Sequence, residues 1–313
     1  MIHTSTLEDL HLTQPACLTI GSFDGVHRGH QMLIGEMARH AHATGRAAVV
    51  VTFYPHPSVF LRGRRPSFYL TTPDEKAAQL AALGVDVVVT HPFNAEVANI
   101  RAVDFVTRLV QYARMTELWC GRDFALGHNR EGTVEFLRAE GEQRGFSVTI
   151  ASPELADGEI ISSTRIRQAL RDGAVEQAAR YLGRPFRLTG EVVEGAHRGR
   201  TIGIPTANLA VSEEHAIPAT GVYACRAYPS GTQPAAAHRA VTNIGYRPTF
   251  EAQAPALTVE THLLDFSDNL YGRPLTLEFI ARLRPEMKFS GIDALLAQIQ
   301  RDILEARHIL STD

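Results

Sequence analysis

Four short runs in the first half of the chain, ACLTIGS, AAVVVTF, VDVVVTH and ELWCG, are rich in Val, Ile, Leu and Thr without alternating between apolar and polar. Strands covered on both faces read this way. Between them, QMLIGEMARHAHATG, TPDEKAAQLAALG and AVDFVTRLVQYAR repeat apolar residues at three and four spacing, the mark of an amphipathic helix. Thr72 followed by Pro73 marks a helix start, and Gly84 a stop. Strand and helix in alternation predict a parallel sheet with helices on both faces. The segment ISSTRIRQALRDGAVEQAARYLGRPF then predicts two short helices, ended by Gly183 and Pro185.

The second half has another rhythm. RLTGEVVEG, GVYACRAY, RAVTNIGYRP, LTVETHLLDF and LTLEFIARL read as strands separated by Gly, Pro, Ser and Asn clusters, with no helical crossover between them. Such strands are mostly antiparallel, and a small closed barrel hides their edges most economically. GIDALLAQIQRDILEARHIL is a terminal amphipathic helix expected to pack on the barrel. The expected organisation is an α/β domain over 1–183 and an antiparallel β-barrel domain with a terminal helix over 184–313.

Composition narrows the function. A length of 313 residues suits two domains, and 44% hydrophobic with 21% charged residues is ordinary for a globular chain. A net charge of −3 provides no basic field for nucleic acid. Lys76 and Lys288 are the only lysines, and neither stands in a Gly-Lys-Ser/Thr phosphate loop. Phosphate chemistry here must use arginine, histidine, backbone amides or a metal. Cys17, Cys120 and Cys225 are too few and too far apart for a disulfide framework or a Cys-x-x-Cys knuckle. MIHTSTLEDL lacks the basic start and apolar centre of a signal peptide, and no apolar run is long enough to span a membrane. A cytoplasmic protein is the expectation.

The bend GSFDGVHRGH follows the first buried strand and opens a helix, where open parallel sheets bind ligands. His27 and His30 within it admit three readings: metal ligands, a phosphate clamp, or loop filler. The metal reading lacks a nearby third ligand. Gly21 and Gly25 let backbone lie against a nucleotide, and the helix start directs free amides at the same place. ISSTRIR, at 161–167, offers Ser162, Ser163 and Thr164 hydroxyls at a helix start, with Arg165 and Arg167 beside them; an ordinary helix cap would look the same. Asp123, in GRDFALG after another strand, faces the same rim, as a ligand or as a turn aspartate. In the second half, GRTIGIPTANL places Thr206 and Asn208 two residues apart, hard oxygen donors of the kind Mg²⁺ takes, after Gly195, Gly199 and Gly203. Glu260 stands in an otherwise apolar strand, where a carboxylate is costly unless paired or used.

Taken together, GSFDGVHRGH, FYPHP, GRDFALG, ISSTRIR, GRTIGIPTANL, GVYA, NIGYRPTF, VETHLLDF and LRPEMKF run in the order of one family. The chain resembles the bacterial bifunctional riboflavin kinase/FAD synthetases over nearly its full length. The resemblance implies a Rossmann-like nucleotidyltransferase domain and a riboflavin kinase-like barrel. It implies ATP-dependent phosphorylation of riboflavin to FMN, then adenylylation of FMN by ATP to FAD with release of pyrophosphate. On that pattern His27 and His30 bind the ATP phosphates. Gly21, Phe23, Asp24, Gly25, Asp123, Ser163, Thr164, Arg167 and Gly203 contribute to nucleotide and phosphate binding. Thr206 and Asn208 hold Mg²⁺ with ATP, and Glu260 is the general base on the riboflavin hydroxyl. Partners are these small molecules, with no nucleic acid and no membrane. Tyr54 in FYPHP, Leu126 in DFALG and Tyr246 in NIGYRPTF depart from the family's usual residues.

Overall fold

A computed structural model describes residues 1–63, 67–152, 154–156, 158–195, 203–230, 237–247 and 256–311. Gly199, in the GRTIGIPTANL run, lies outside them, as does the end of NIGYRPTF. The contacts divide the chain into two units, Met1–Arg65 with Tyr69–Ser163, and Pro66–Phe68 with Thr164–Asp313.

In the first unit, strands β1 (Ile2–Thr4), β2 (Ala16–Ile20), β3 (Ala47–Tyr54), β4 (Val87–Pro92) and β5 (Met115–Gly121) join Ser147–Ala151 in one parallel sheet. Their spatial order is β1-β4-β3-β2-β5 and then Ser147–Ala151. The helices are α1 (Arg28–Ala43), α2 (Pro57–Arg62), α3 (Pro73–Ala82), α4 (Ala95–Ala98), α5 (Ala102–Tyr112) and α6 (Val134–Arg144). The unbroken apolar runs have a direct cause: consecutive residues feed two separate cores. Ala48, Val50 and Val88 pack with Met37 and Ala38 of α1 and Leu80 of α3. Val49, Val51 and Val89 pack with Phe105 and Leu109 of α5 and Leu137 of α6. The start of α3 is a full capping box, with Thr72 and Glu75 bonding each other's backbone and Pro73 in the first turn. Gly84 follows its end at φ +88°.

The second unit holds helices α7 (Ser163–Arg171, whose first residue ends the first unit) and α8 (Val175–Leu182), a closed barrel, and the C-terminal helix Ile292–Ile309. The break between units thus falls before the two short helices, and α8 packs on the barrel strands Phe186–Val193 and Pro274–Arg284. Around the barrel the order is Phe186–Val193, Ala207–Ala210, Ala256–Leu263, His238–Arg247, Gly221–Pro229 and Pro274–Arg284, every pair antiparallel. Phe186–Val193 alternates strictly between buried and exposed, as a strand with one covered face does. Phe186, Tyr223 and Phe279 fill the interior. The C-terminal helix covers one outer face, where Ala306 and Leu310 meet Val222, Ala224 and Val241.

Candidate active site

In the first unit β2 ends at Ile20, and the chain turns through Gly21–His27 into α1. Three residues of the turn are left-handed: Phe23 (φ +46°), Gly25 (+80°) and Val26 (+38°). This backbone is costly for Phe and more so for β-branched Val, and it persists only where the surroundings enforce it. Asp24 supplies much of that enforcement. Its buried carboxylate accepts from the backbone amides of Leu70, at 3.0 and 3.1 Å, and of Thr71 at 3.2 Å. Thr71 Oγ1 accepts from the Gly25 amide at 3.2 Å. At Gly21 a Cβ would lie 2.8 Å from the Phe23 ring, so a side chain there would have to displace that ring.

His27 caps α1, its Nδ1 accepting from the His30 amide at 3.4 Å. The two rings stack with centroids 3.5 Å apart and planes 20° apart, and Phe23 meets His30 edge-on. Burial, then the neighbouring His27, then Lys76 push the His30 imidazole well below its ordinary range. Its Nδ1 is buried and has no hydrogen-bond partner. A neutral ring with an unused nitrogen beside a helix N-terminus is ready for a phosphate oxygen.

Lys76 is the charge that the motif-based reading passes over. It is buried, and its Nζ donates to the Ser22 carbonyl at 2.8 Å and to Thr52 Oγ1 at 3.1 Å. Burial pushes the ammonium down to about 8, against the pull of Asp24. The start of ISSTRIR also reaches the bend, because Ser163 Oγ donates to the Asp24 carbonyl at 2.9 Å. Thr164 and Arg167 belong to the second unit. There Arg167 Nε donates to the Phe68 carbonyl at 2.6 Å, with the guanidinium 3.9 Å over the Phe68 ring. A cavity of about 950 Å³ reaches Gly21 and Ser22. Phe53, Phe93 and Phe124 give it aromatic walls, Arg62 and Arg130 bring positive charge, and Asp123 and Leu126 also line it. Arg130 donates to the Asp123 carbonyl at 2.9 Å.

In the second unit, strand register assembles the site. Asn208 stands opposite Glu260, and Glu260 opposite Asn243 on its other side. Residues opposite each other share a face, so an amide, a carboxylate and a second amide form a row across three strands. A cavity of about 380 Å³ is lined by Thr206, Asn243, Glu260 and His262, with Met287, Phe289, Leu295 and Ile299 as apolar wall. Thr206 also borders a separate cavity of about 430 Å³ with Asp268 and Tyr271, so it stands where the two meet. His262 Nδ1 lies 2.7 Å from the Pro205 carbonyl and ties down the chain entering Thr206. Gly195 lies so close to Asn208 that a Cβ there would fall into its amide. Gly203 is left-handed at φ +75°. Arg284 and the buried Asp302 pair at 2.8 Å in the lining of the 380 Å³ cavity. Asn243 and His262 stand within quoted motifs, yet only the register reveals their place beside Glu260. Tyr54 and Tyr246 are exposed.

Comparison with known proteins follows the same division. A family model of FAD synthetase matches residues 10–165, and one of riboflavin kinase matches 182–310. A bifunctional riboflavin kinase/FMN adenylyltransferase of Escherichia coli is 39% identical over 297 residues, covering 94% of this chain and 93% of its own. The protein of that name from Listeria monocytogenes is 37% identical over 291 residues, covering 93% and 91%. That from Bacillus subtilis is 34% identical over 312 residues, covering 96% and 97%. A solved structure, described as a macrolide-efflux protein from Streptococcus pneumoniae, aligns with a TM-score of 0.88 at 30% identity, covering 98% of each chain. Among the described residues here, no helix is long and apolar enough to cross a membrane. Both halves match, in order and over nearly the whole length: the chain belongs to the bifunctional riboflavin kinase/FMN adenylyltransferase family and carries both activities.

Proposed function

We propose that Glu260 is the base of the kinase reaction and that His27 and His30 serve adenylyl transfer. In the barrel, Glu260 takes the proton of the riboflavin terminal hydroxyl as that oxygen attacks the γ-phosphorus of ATP, and ADP leaves. The Asn208–Glu260–Asn243 row is the observation that carries this assignment. The 380 Å³ cavity, apolar at one side and polar at Glu260, suits a flavin ring ending in a hydroxyl. Thr206 and Asn208 offer a hydroxyl and an amide oxygen, a hard donor set that fits Mg²⁺, and the glycine at 195 leaves room only for the Asn208 amide. When bound there, Mg²⁺ would neutralise charge on the β- and γ-phosphates.

In the first unit, a phosphate oxygen of FMN attacks the α-phosphorus of ATP, and the bond to pyrophosphate breaks. His27 and His30, with the α1 amides, steady the charge that gathers on the α-phosphate. The aromatic cavity with Arg62 and Arg130 suits a flavin carrying a phosphate. No covalent enzyme intermediate is needed, since positioning and charge stabilisation suffice. Incubation of the chain with riboflavin and ATP, with and without Mg²⁺, tests the sequence of reactions. FMN should appear first and FAD after it, and chelation of Mg²⁺ should stop FMN formation. FAD made from added FMN but never from riboflavin would reduce the barrel to a flavin holder.

A further inference from the structure

Away from both proposed sites, Cys17 of β2, His40 of α1 and Glu117 of β5 turn one ligand atom each toward a common point. The three atoms lie within 4.8 Å of one another. Cys17 and Glu117 are register partners on adjacent parallel strands, so their side chains leave the same face of the sheet, the one α1 covers. Cys17 Sγ is 3.6 Å from Glu117 Oε2, and His40 Nε2 is 2.9 Å from the same oxygen. The other carboxylate oxygen is held by Arg46 at 3.4 Å, and Oε2, which faces the cysteine and the histidine, also accepts from Trp119 Nε1 at 3.3 Å.

We propose that Cys17, His40 and Glu117 form a binding site for a zinc-like divalent cation, with solvent as the fourth ligand. Bond lengths of about 2.3 Å to sulfur and about 2.0–2.1 Å to nitrogen and oxygen put the donors of a tetrahedral site roughly 3.3–3.6 Å apart. The sulfur–oxygen pair already has that spacing, and the nitrogen–oxygen pair reaches it by opening about half an ångström. His40 Nε2 is the second pointer. It is buried against the Glu117 carboxylate, 2.9 Å from Oε2, so nitrogen and oxygen already converge on the same point. Metal coordination would use the nitrogen lone pair. Thiolate, imidazole and carboxylate together are a borderline-soft set that favours Zn²⁺ over Mg²⁺. His40 keeps 39% of its side chain exposed, so the cluster lies near the surface.

A redox role fits these residues less well, since the Cys17 side chain is fully buried. On binding the cation, the Cys17 proton leaves to solvent and the thiolate is neutralised by the metal. The site is also remote from His27 and His30: ten residues of α1 separate His30 from His40, about 15 Å of helix. A bound ion would tie the far end of α1 to β2 and β5.

Co²⁺ is the probe for the test, added to full-length protein first stripped with chelator and kept free of nucleotide and flavin. One equivalent should bind, giving a near-ultraviolet thiolate-to-cobalt band and the intense visible bands of a four-coordinate ion. Zn²⁺ should displace it. Cys17→Ser should lose the thiolate band, and His40→Gln should weaken binding at least about tenfold. Both activities, assayed on the metal-stripped variants with Mg²⁺ added back, should match wild type and thereby report folding. No thiolate band in the wild type overturns the proposal. So does a band that survives Cys17→Ser, or an affinity that His40→Gln leaves unmoved.

Discussion

His30 and Lys76 show how one turn sets the charge of the groups packed against it. The imidazole is held neutral, and the buried ammonium is pinned to the Ser22 carbonyl at the root of the turn. Folded Lys76 releases its proton near 8, against an ordinary value of 10.5. Between those values the unfolded chain still binds a proton that the folded chain has lost, so this group makes stability climb as pH rises. Lys76→Met should remove that climb. Urea midpoints taken at about pH 8 and about pH 10 should therefore differ less in the variant than in wild type; an unchanged difference would mean that Lys76 is not buried as a cation. The bend that holds the histidines was legible, since residue type and strand-bend-helix context are local. Lys76 was not, because its partners Ser22 and Thr52 are distant in sequence and only the folded sheet brings them near.

At the scale of elements, helix boundaries were the clearest signals. Thr72, Pro73, Glu75 and Gly84 spell out the capped start and left-handed stop of α3. Thr72→Ala should cost about 0.5–2 kcal/mol of stability, read as a lowered urea midpoint; no loss would show that α3 is held by packing alone. The strand Ala207–Ala210 was hidden by its residues, because PTANL reads as a loop when proline, threonine and asparagine are weighed by propensity. Its pairing with Ala256–Leu263 supplies what local preference lacks, and that pairing places Asn208 beside Glu260. The edge strands Ile2–Thr4 and Ser147–Ala151 escaped for a different reason, each being short and only partly covered. The C-terminal helix is anchored by Asp302, which accepts from Arg284 and from Gln298 at 2.8 Å. With Asp302 2% exposed, Asp302→Ala leaves the Arg284 charge unpaired and should cost about 3–5 kcal/mol. Calorimetry of the whole chain should show one transition shifted down; an unshifted trace would rule out the pair as the anchor.

Over the whole molecule, two kinds of segment order announce two kinds of fold. Unbroken apolar runs with helical crossovers became the doubly covered parallel sheet, and strands without helical crossovers became the barrel. Between them, composition breaks at Gly183 and contacts break at Ser163, α8 packing on barrel strands. Amphipathic helices do not declare which neighbour they cover, so sequence alone places them poorly. Each unit carries its own cavity, with Gly21 and Asp123 lining one and Glu260 and Thr206 the other. The two reactions should therefore be removable separately. The direct measurement gives His30→Ala and Glu260→Gln, in parallel, riboflavin or FMN with ATP and Mg²⁺, and quantifies FMN and FAD. His30→Ala should accumulate FMN while FAD formation falls about 10²-fold. Glu260→Gln should convert FMN to FAD normally while riboflavin phosphorylation falls about 10²–10⁴-fold. A folded variant that loses both reactions together, or neither, would contradict the assignment of one chemistry to each unit.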